Sequence, residues 1–569
     1  MLVGQVLAAP ISYRAPLMKV RRLGAFVHPR VFSAVAIATL VAATAASRDV
    51  GATDACSDLR RLALDAAIVT EARAVAAGAA PFFTARAFCR VLVTMTPTPD
   101  SDIKAEVWLP IADWNEKILA VGNGDAAGVI SYQAMAEALA RGYATSSTDT
   151  GHVGNTMAFA LHHREKYVDF GYRAVHEMTV KAKGIVEAFY GMAPVHAYWQ
   201  GCSQGGRQGL TEAVRYPSDY DGIIAGAPPL NYMHLHAARL ALNRFVHRDE
   251  GSYIPAEKYE LIHRAAVRAC DSLDGAADGL IADPLRCRFD PGILQCANGD
   301  APSCLTAEQV ETARGMYAPI TDGSTRRAVS GALLQPGSEL GWARLGGAEP
   351  LVNAVEPFKY IVFGDANWNW HTFRLATDLP RALRADEGVI DRTDANLQPF
   401  FDAGGKLLMY HGWADPQVPP LATVAYFNAV LKATSAGRRG TAIELYMEPG
   451  VNHCGGGSGA DTFDAIGAME QWDRVGRAPT RITASHWSDV GLDRTRPLCA
   501  YPLIAKYEGR GSIDRAENFR CAAESSPAAP RREKDAVRRH ASASGTAQRT
   551  AQALKSRRSA AASDQRSAR

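Results

Sequence analysis

Short apolar runs bounded by turn residues alternate with stretches of helical periodicity along most of the chain, and this alternation sets the expected architecture. Ile103 to Pro110, Lys117 to Val121 and Tyr143 to Ser147 read as strands, being brief, apolar and closed by turn residues. Val175, Met178, Ala182, Ile185 and Phe189 then recur at the spacing that places them on one face of a helix. A β-type run, Val195 to Trp199, enters a Gly-rich turn and leaves it through a helix-type run, Gly206 to Arg215. Gly222-Ile223-Ile224-Ala225-Gly226-Ala227 follows, small and apolar throughout, as suits a strand covered on both faces. Such a succession predicts an α/β protein with a mainly parallel sheet covered by helices.

The pattern lapses from about Leu230 and resumes at Gly405, where Lys406 to His411 and later Ile443 to Met447 read as strands. A helix around Asp461 to Val475 is expected to close the fold. The stretch 230–396 holds an Asp-rich loop and the aromatic residues Trp368, Trp370 and Phe373. It follows the last strands of the first half, on the sheet edge where α/β active sites form, and is therefore expected to be a lid. The expected organisation is an export signal over 1–47, a catalytic domain from 48–229 and 397–521, a lid domain over 230–396, and a tail over 522–569.

Composition changes this picture at the two ends. With 47% apolar and 21% charged residues in 569, the body is an ordinary globular chain. Its net charge of +3 misleads, because eleven Lys/Arg against three Asp/Glu stand between Arg531 and Arg569. The rest is mildly acidic, which argues against nucleic-acid binding. The tail lacks large apolar residues and is expected to be disordered.

Near the start, Lys19, Arg21 and Arg22 precede an apolar run from about Val31 to Ala43 and the small residues Ala43-Thr44-Ala45-Ala46, the order of a cleaved export signal beginning at Met18. The run is short for a bilayer, so no stable membrane insertion is expected after its removal, a signal-anchor being the alternative. Secretion or a periplasmic location follows. In such a compartment ten cysteines are expected to pair. By nearness along the chain Cys56/Cys89, Cys270/Cys287, Cys296/Cys304 and Cys499/Cys521 form local loops. Cys202 and Cys454 remain, either as a fifth disulfide or as two buried thiols.

Those two cysteines flank the residues with the strongest chemical pattern. Gly201-Cys202-Ser203-Gln204-Gly205 lies between a strand-type and a helix-type run, as a nucleophile elbow requires. A serine hydroxyl needs a base to take its proton and a carboxylate to orient that base. In this fold they follow in the order Ser, Asp or Glu, His, each in a loop after a late strand. Asp415, after Lys406 to His411, and His453, after Ile443 to Met447, meet that order. A Cys202–Cys454 disulfide would hold nucleophile and base together. The backbone N–H of Gln204 and one from the loop Gly122 to Gly128, Gly124, are the expected donors to an oxyanion. His411 and Trp413, with Val418, are expected to line the substrate pocket. In Cys270-Asp271-Ser272-Leu273-Asp274-Gly275-Ala276-Ala277-Asp278-Gly279-Leu280 spacing alone reads first as a solvated Asp/Gly turn; a cation held there by three carboxylates would be calcium rather than zinc.

Taken together, Gly-Cys-Ser-x-Gly-Gly at 201–206, the Asp415 loop and His453-Cys454 resemble the tannase/feruloyl esterase family, which includes mono(2-hydroxyethyl) terephthalate hydrolase. The likeness extends through Ser147-Thr148-Asp149-Thr150-Gly151-His152, Tyr220 to Pro228 and Pro497-Leu498-Cys499, from about Cys56 to Cys521. It implies an α/β-hydrolase fold with a large lid insertion, the five disulfides above, and hydrolysis of a small aromatic-acid ester by Ser203, His453 and Asp415. It also implies structural calcium in the lid, held by Asp271, Asp274 and Asp278 with the carbonyls of Ala276 and Leu280, and no organic cofactor. The family pattern places a further glycine where Asp125 stands, which bears on the second oxyanion donor. A polyphenol- or carbohydrate-binding protein on an inactive hydrolase scaffold and an exported serine peptidase are the alternatives. Oligomeric state is not legible.

Overall fold

The computed structural model describes residues 54–523 apart from 127, 322–327, 392–393 and 435. The expected export signal and the tail from 524 onward lie outside the described residues. In chain order the first part comprises β1 (Ala67–Val75), β2 (Phe88–Met95), β3 (Ile103–Pro110), β4 (Lys117–Val121), α1 (Tyr132–Ala140), β5 (Ala144–Thr148), α2 (Ala174–Tyr190), β6 (His196–Cys202), α3 (Gln204–Arg215) and β7 (Gly222–Gly226). An insertion carries α4 (Tyr232–Val246), α5 (Tyr259–Cys270), α6 (Ala307–Met316), the hairpin β8 (Pro319–Thr321) and β9 (Ala328–Ala332), and α7 (Leu375–Asp386). The core resumes with β10 (Lys406–Gly412), α8 (Pro420–Ala433), β11 (Ile443–Glu448) and α9 (Ala465–Val475). Two antiparallel hairpins, β12 (Arg481–Ser488) with β13 (Gly491–Cys499) and β14 (Ile504–Tyr507) with β15 (Phe519–Ala522), follow.

Nine strands form one sheet in the order β1-β2-β3-β5-β4-β6-β7-β10-β11. From β5 to β11 all neighbours are parallel, while β1, β2 and β3 join as an antiparallel edge through the β3–β5 pair. The pattern reading missed β1 and β2. An edge pair is only partly covered, so β1 buries Val69, Ala72 and Val75 and leaves residues such as Ile68 and Thr70 to solvent, without the continuous apolar run that marks a central strand. At the centre, Ile223, Ile224 and Ala225 have no exposed surface. The predicted stripe Val175, Met178, Ala182 and Ile185 covers one face of the sheet, and Met469 and Trp472 of α9 cover the other.

The ends of the elements differ modestly from the sequence reading. β6 extends through Cys202, α3 begins at Gln204, and α9 begins at Ala465 because Asp464 caps it, accepting from Gly467 N at 2.9 Å. Ala522 belongs to β15, so that strand reaches the first residue of the expected tail. The insertion has an apolar cluster that includes Ile262, Met316 and Trp342, which Val418 of the core joins. All ten cysteines are paired: Cys56–Cys89, Cys202–Cys454, Cys270–Cys287, Cys296–Cys304 and Cys499–Cys521. Among the described residues no helix is long and apolar enough to cross a membrane.

Candidate active site

β4, β6, β10 and β11 end at one edge of the sheet, and the loops leaving them build the site. The turn after β6 is tight because Gly201 lies against the start of α3: a Cβ there would sit 2.5 Å from the carbonyl carbon of Gly205. At Gly206 a Cβ would stand 2.4 Å from the Gly226 carbonyl oxygen of β7. Only glycine permits this packing. Ser203 is forced to the tip at φ 57° and ψ −125°, the strained conformation of a nucleophile elbow. It occupies the N-cap position of α3 without making a side-chain capping bond, so its hydroxyl is left to other partners.

That partner is His453, whose Nε2 lies 2.8 Å from Ser203 Oγ. Its Nδ1 lies 2.7 Å from Asp415 Oδ2. A carboxylate only accepts, so Nδ1–H donates to Asp415 and Nε2 is free to accept from the serine. The two loops are bound by backbone as well as side chain: Trp413 N donates to Glu448 O at 2.8 Å and Ala414 N to Val451 O at 3.0 Å. Cys202–Cys454 closes the arrangement, with Cα atoms 5.9 Å apart although 252 residues separate them.

Asp415 has no exposed surface and receives four donors. Oδ1 accepts from Gln417 N at 2.7 Å and Val418 N at 2.9 Å, while Oδ2 accepts from His453 and from His411 Nε2, the latter at 3.0 Å. Burial acts to raise this carboxyl, but His453 and His411 outweigh it and hold Asp415 well below the ordinary carboxylate range.

His411 thus has a different place from the one expected. It is fully buried behind Asp415, with Nδ1 2.7 Å from Thr423 Oγ1, and it does not border the cavity above Ser203. Trp413 also turns inward, 4% exposed, into the core. Both follow from the strand end, where one side of the loop faces the cavity and the other the sheet packing. Val418 does border the cavity. Trp368 and Phe373 pack in an apolar cluster that the insertion shares with Met157, Tyr167 and Phe170 of the first part, with Trp370 against it.

The cavity over Ser203 has a volume of about 420 Å³ and is bordered by Gly124 and Gln204, the two expected oxyanion donors. Gln204 N belongs to the first turn of α3, whose N–H groups lack intrahelical partners. Asp125 adopts φ 55°, so a non-glycine residue meets the turn there. Its carboxylate is used as a tie, accepting from Asn155 Nδ2 at 2.9 Å and from Asn353 Nδ2 of the insertion at 3.0 Å.

Opposite stands a polar wall that the sequence reading did not identify: Tyr232, His236 and Arg239 of α4, with Gln417. Arg239 is 5% exposed, and burial pulls its guanidinium down to about 10. It donates through Nε and Nη2 to the Gln417 carbonyl, at 3.1 and 2.6 Å. The available signal was the i, i+4, i+7 spacing of these three residues, which sets them on one face of α4.

In the insertion, Asp271 accepts from Asp278 N and Gly279 N, Asp274 from Ala276 N and Asp278 from Leu280 N, at 2.9 to 3.2 Å. Burial, with the neighbouring carboxylates, pushes Asp271 up and Asp274 up to about 6. Arg496 pairs with Asp278 and offsets one of the three charges. The three carboxylates are hard oxygen donors of the kind calcium takes, in a loop next to the Cys270–Cys287 bridge, although backbone N–H groups and Arg496 already engage all their oxygens but Asp274 Oδ2.

A strained serine after a central strand, with its histidine and aspartate on loops from later strands, belongs to a carboxylic ester hydrolase of the α/β-hydrolase fold. Residues 89–522 match the family model for tannase and feruloyl esterase, and the chain belongs to that family. An uncharacterized esterase of Xanthomonas campestris is 36% identical over 544 residues, 86% of this chain and 94% of that protein. A probable feruloyl esterase B-1 of Aspergillus fumigatus is 32% identical, over 76% of this chain and 85% of its own. The crystal structure of feruloyl esterase B from Aspergillus oryzae superposes with a TM-score of 0.77 at 29% identity, over 83% of this chain and all of that one.

Proposed function

We propose that this chain is an exported serine esterase that cleaves esters of phenolic or related aromatic acids through an acyl-enzyme. The observation that carries the reading is His453, hydrogen-bonded to Ser203 on one side and Asp415 on the other, beside a cavity in a family of esterases. Ser203 Oγ attacks the ester carbonyl while His453 Nε2 takes its proton, and Asp415 stabilises the imidazolium. The N–H groups of Gln204 and Gly124 receive the developing negative oxygen, each such donor contributing about 10²–10³ in rate. Collapse expels the alcohol, protonated by His453. Water activated by the same imidazole then attacks the acyl-serine and releases the acid. Ten paired cysteines agree with the exported location.

The test is a panel of galloyl, feruloyl, terephthaloyl and short aliphatic esters, each aromatic ester with its matching amide, assayed on the purified chain. An aromatic ester is expected to exceed both the aliphatic esters and its own amide in kcat/KM by at least about tenfold. A folded chain that cleaves no ester would overturn the reading, and equal turnover of amide and ester would favour a peptidase.

The calcium site makes a separate prediction. Asp271, Asp274 and Asp278, with the carbonyls of Ala276 and Leu280, would hold the ion, which braces the insertion and takes no part in the chemistry. Without a cation the raised carboxyl of Asp274 lowers stability as pH rises from about 4, the ordinary value, through about 6. Calcium reverses that effect above pH 6, adding about 2.7 kcal/mol at a hundred times its dissociation constant. Thermal unfolding with calcium and with a chelator should show a gap in Tm at pH 7.5 that shrinks at pH 5. Coincident curves at both pH values would leave the loop without its ion.

A further inference from the structure

His236 is a cavity side chain that the esterase mechanism leaves unused. It is 2% exposed, and its Nε2 has no hydrogen-bond partner among the described residues. The other ring nitrogen fixes where the proton is. Arg239 Nη1 lies 3.3 Å from His236 Nδ1, and a guanidinium can only donate, so Nδ1 accepts and the neutral ring carries its hydrogen on Nε2. Burial, and next the charge of Arg239, hold the imidazole far from protonation. Tyr232 packs edge-on against the ring at 4.2 Å and fixes its plane. The result is an oriented N–H donor beside the nucleophile's cavity, lacking an acceptor in the protein itself. A buried donor in that state destabilises a fold, a deficit that a ligand oxygen would remove.

The charge balance decides what kind of oxygen. The hydrogen-bonding partners of Arg239 are the Gln417 carbonyl, Asn353 Oδ1 and His236, all neutral. The carboxylates whose fields reach it are Asp415 and Asp125. These two carboxylates offset the one buried cation, which favours a neutral acceptor oxygen over an anionic one. Resting on the esterase reading, we propose that His236 is a specificity-determining residue: its Nε2–H receives a neutral acceptor oxygen, the hydroxyl or methoxy oxygen of an aromatic acyl group, and does not serve a carboxylate. Arg239 acts as a positioning residue, fixing the tautomer of His236 while holding the loop after Asp415 through the Gln417 carbonyl.

The experiment compares methyl cinnamate with its ring-hydroxylated, ring-methoxylated and ring-carboxylated analogues on wild type, His236→Phe and His236→Gln, with kcat and KM determined separately. Wild type should favour the hydroxylated or methoxylated ester over the unsubstituted one by roughly 10- to 100-fold in kcat/KM. His236→Phe keeps a ring but removes the donor, and should reduce that ratio by about tenfold or more, chiefly through KM. His236→Gln restores an N–H and should recover most of it. A wild-type enzyme without preference for the oxygenated rings overturns the proposal and needs no variant to do so. The same conclusion follows from a ratio unchanged in His236→Phe, or from a carboxylated ester preferred through His236. Absence of hydrolysis of every ester by folded wild type would instead remove the esterase reading beneath it.

Discussion

Ser203→Ala is expected to lower kcat/KM on any ester the wild type cleaves by roughly 10⁴- to 10⁶-fold, with the residual rate coming from the oxyanion donors and substrate binding alone. The loss falls on chemistry because the Ser203 hydroxyl contributes little else to the fold. It makes no capping bond to α3, and the backbone at φ 57° is fixed by the packing of Gly201 and Gly206. Thermal stability and the affinity for a non-hydrolysable ester analogue should therefore stay close to wild type. The measurement is a kinetic assay paired with a thermal melt. Retention of more than about a hundredth of the activity by a protein of unchanged Tm would remove Ser203 from the role of nucleophile.

Asp415→Asn is expected to reduce kcat by about 10⁴, for a reason visible in the four donors around that carboxylate. An amide offers one acceptor oxygen and an NH2 group that must face N–H donors on the other side. His453 escapes the clash by moving its proton from Nδ1 to Nε2, and a protonated Nε2 cannot accept from Ser203. The same substitution should lower Tm. The Asp415 carboxyl is held well below the ordinary range, so the stability it contributes is present above about pH 4 and is lost only as pH falls through that depressed value. The deficit of the variant in melts should thus be largest near neutrality and close in strong acid. A variant with near-normal kcat would show that His453 holds its tautomer without the carboxylate.

Some of this site is legible along the chain because its signals are local. A glycine-flanked serine between a strand and a helix is a turn problem settled within a few residues, and Asp415 and His453 follow strands that are apolar enough to read individually. The edge strands β1 and β2 were not legible in the same way, since partial cover leaves polar residues among their apolar ones. His411 shows a harder limit. It stands near the end of β10, four residues before Asp415, and nothing in that spacing says whether its ring faces the substrate cavity or the packing behind the carboxylate; the contact with Thr423 of α8 places it behind. The polar face of α4 was readable as a spacing, but its meaning depends on which side of the helix meets Ser203.

Neighbours along the chain suffice to mark the elbow, the candidate acid and base that follow it, and the cysteines available for pairing, because each depends on residues close in sequence. It takes the fold to bring Cys202 to Cys454 across 252 residues, to let two histidines share one oxygen of Asp415, and to set His236 against Arg239 beside the cavity. These are properties of groups brought together by packing, where burial removes water and leaves each donor and charge to the few partners within a hydrogen-bond length.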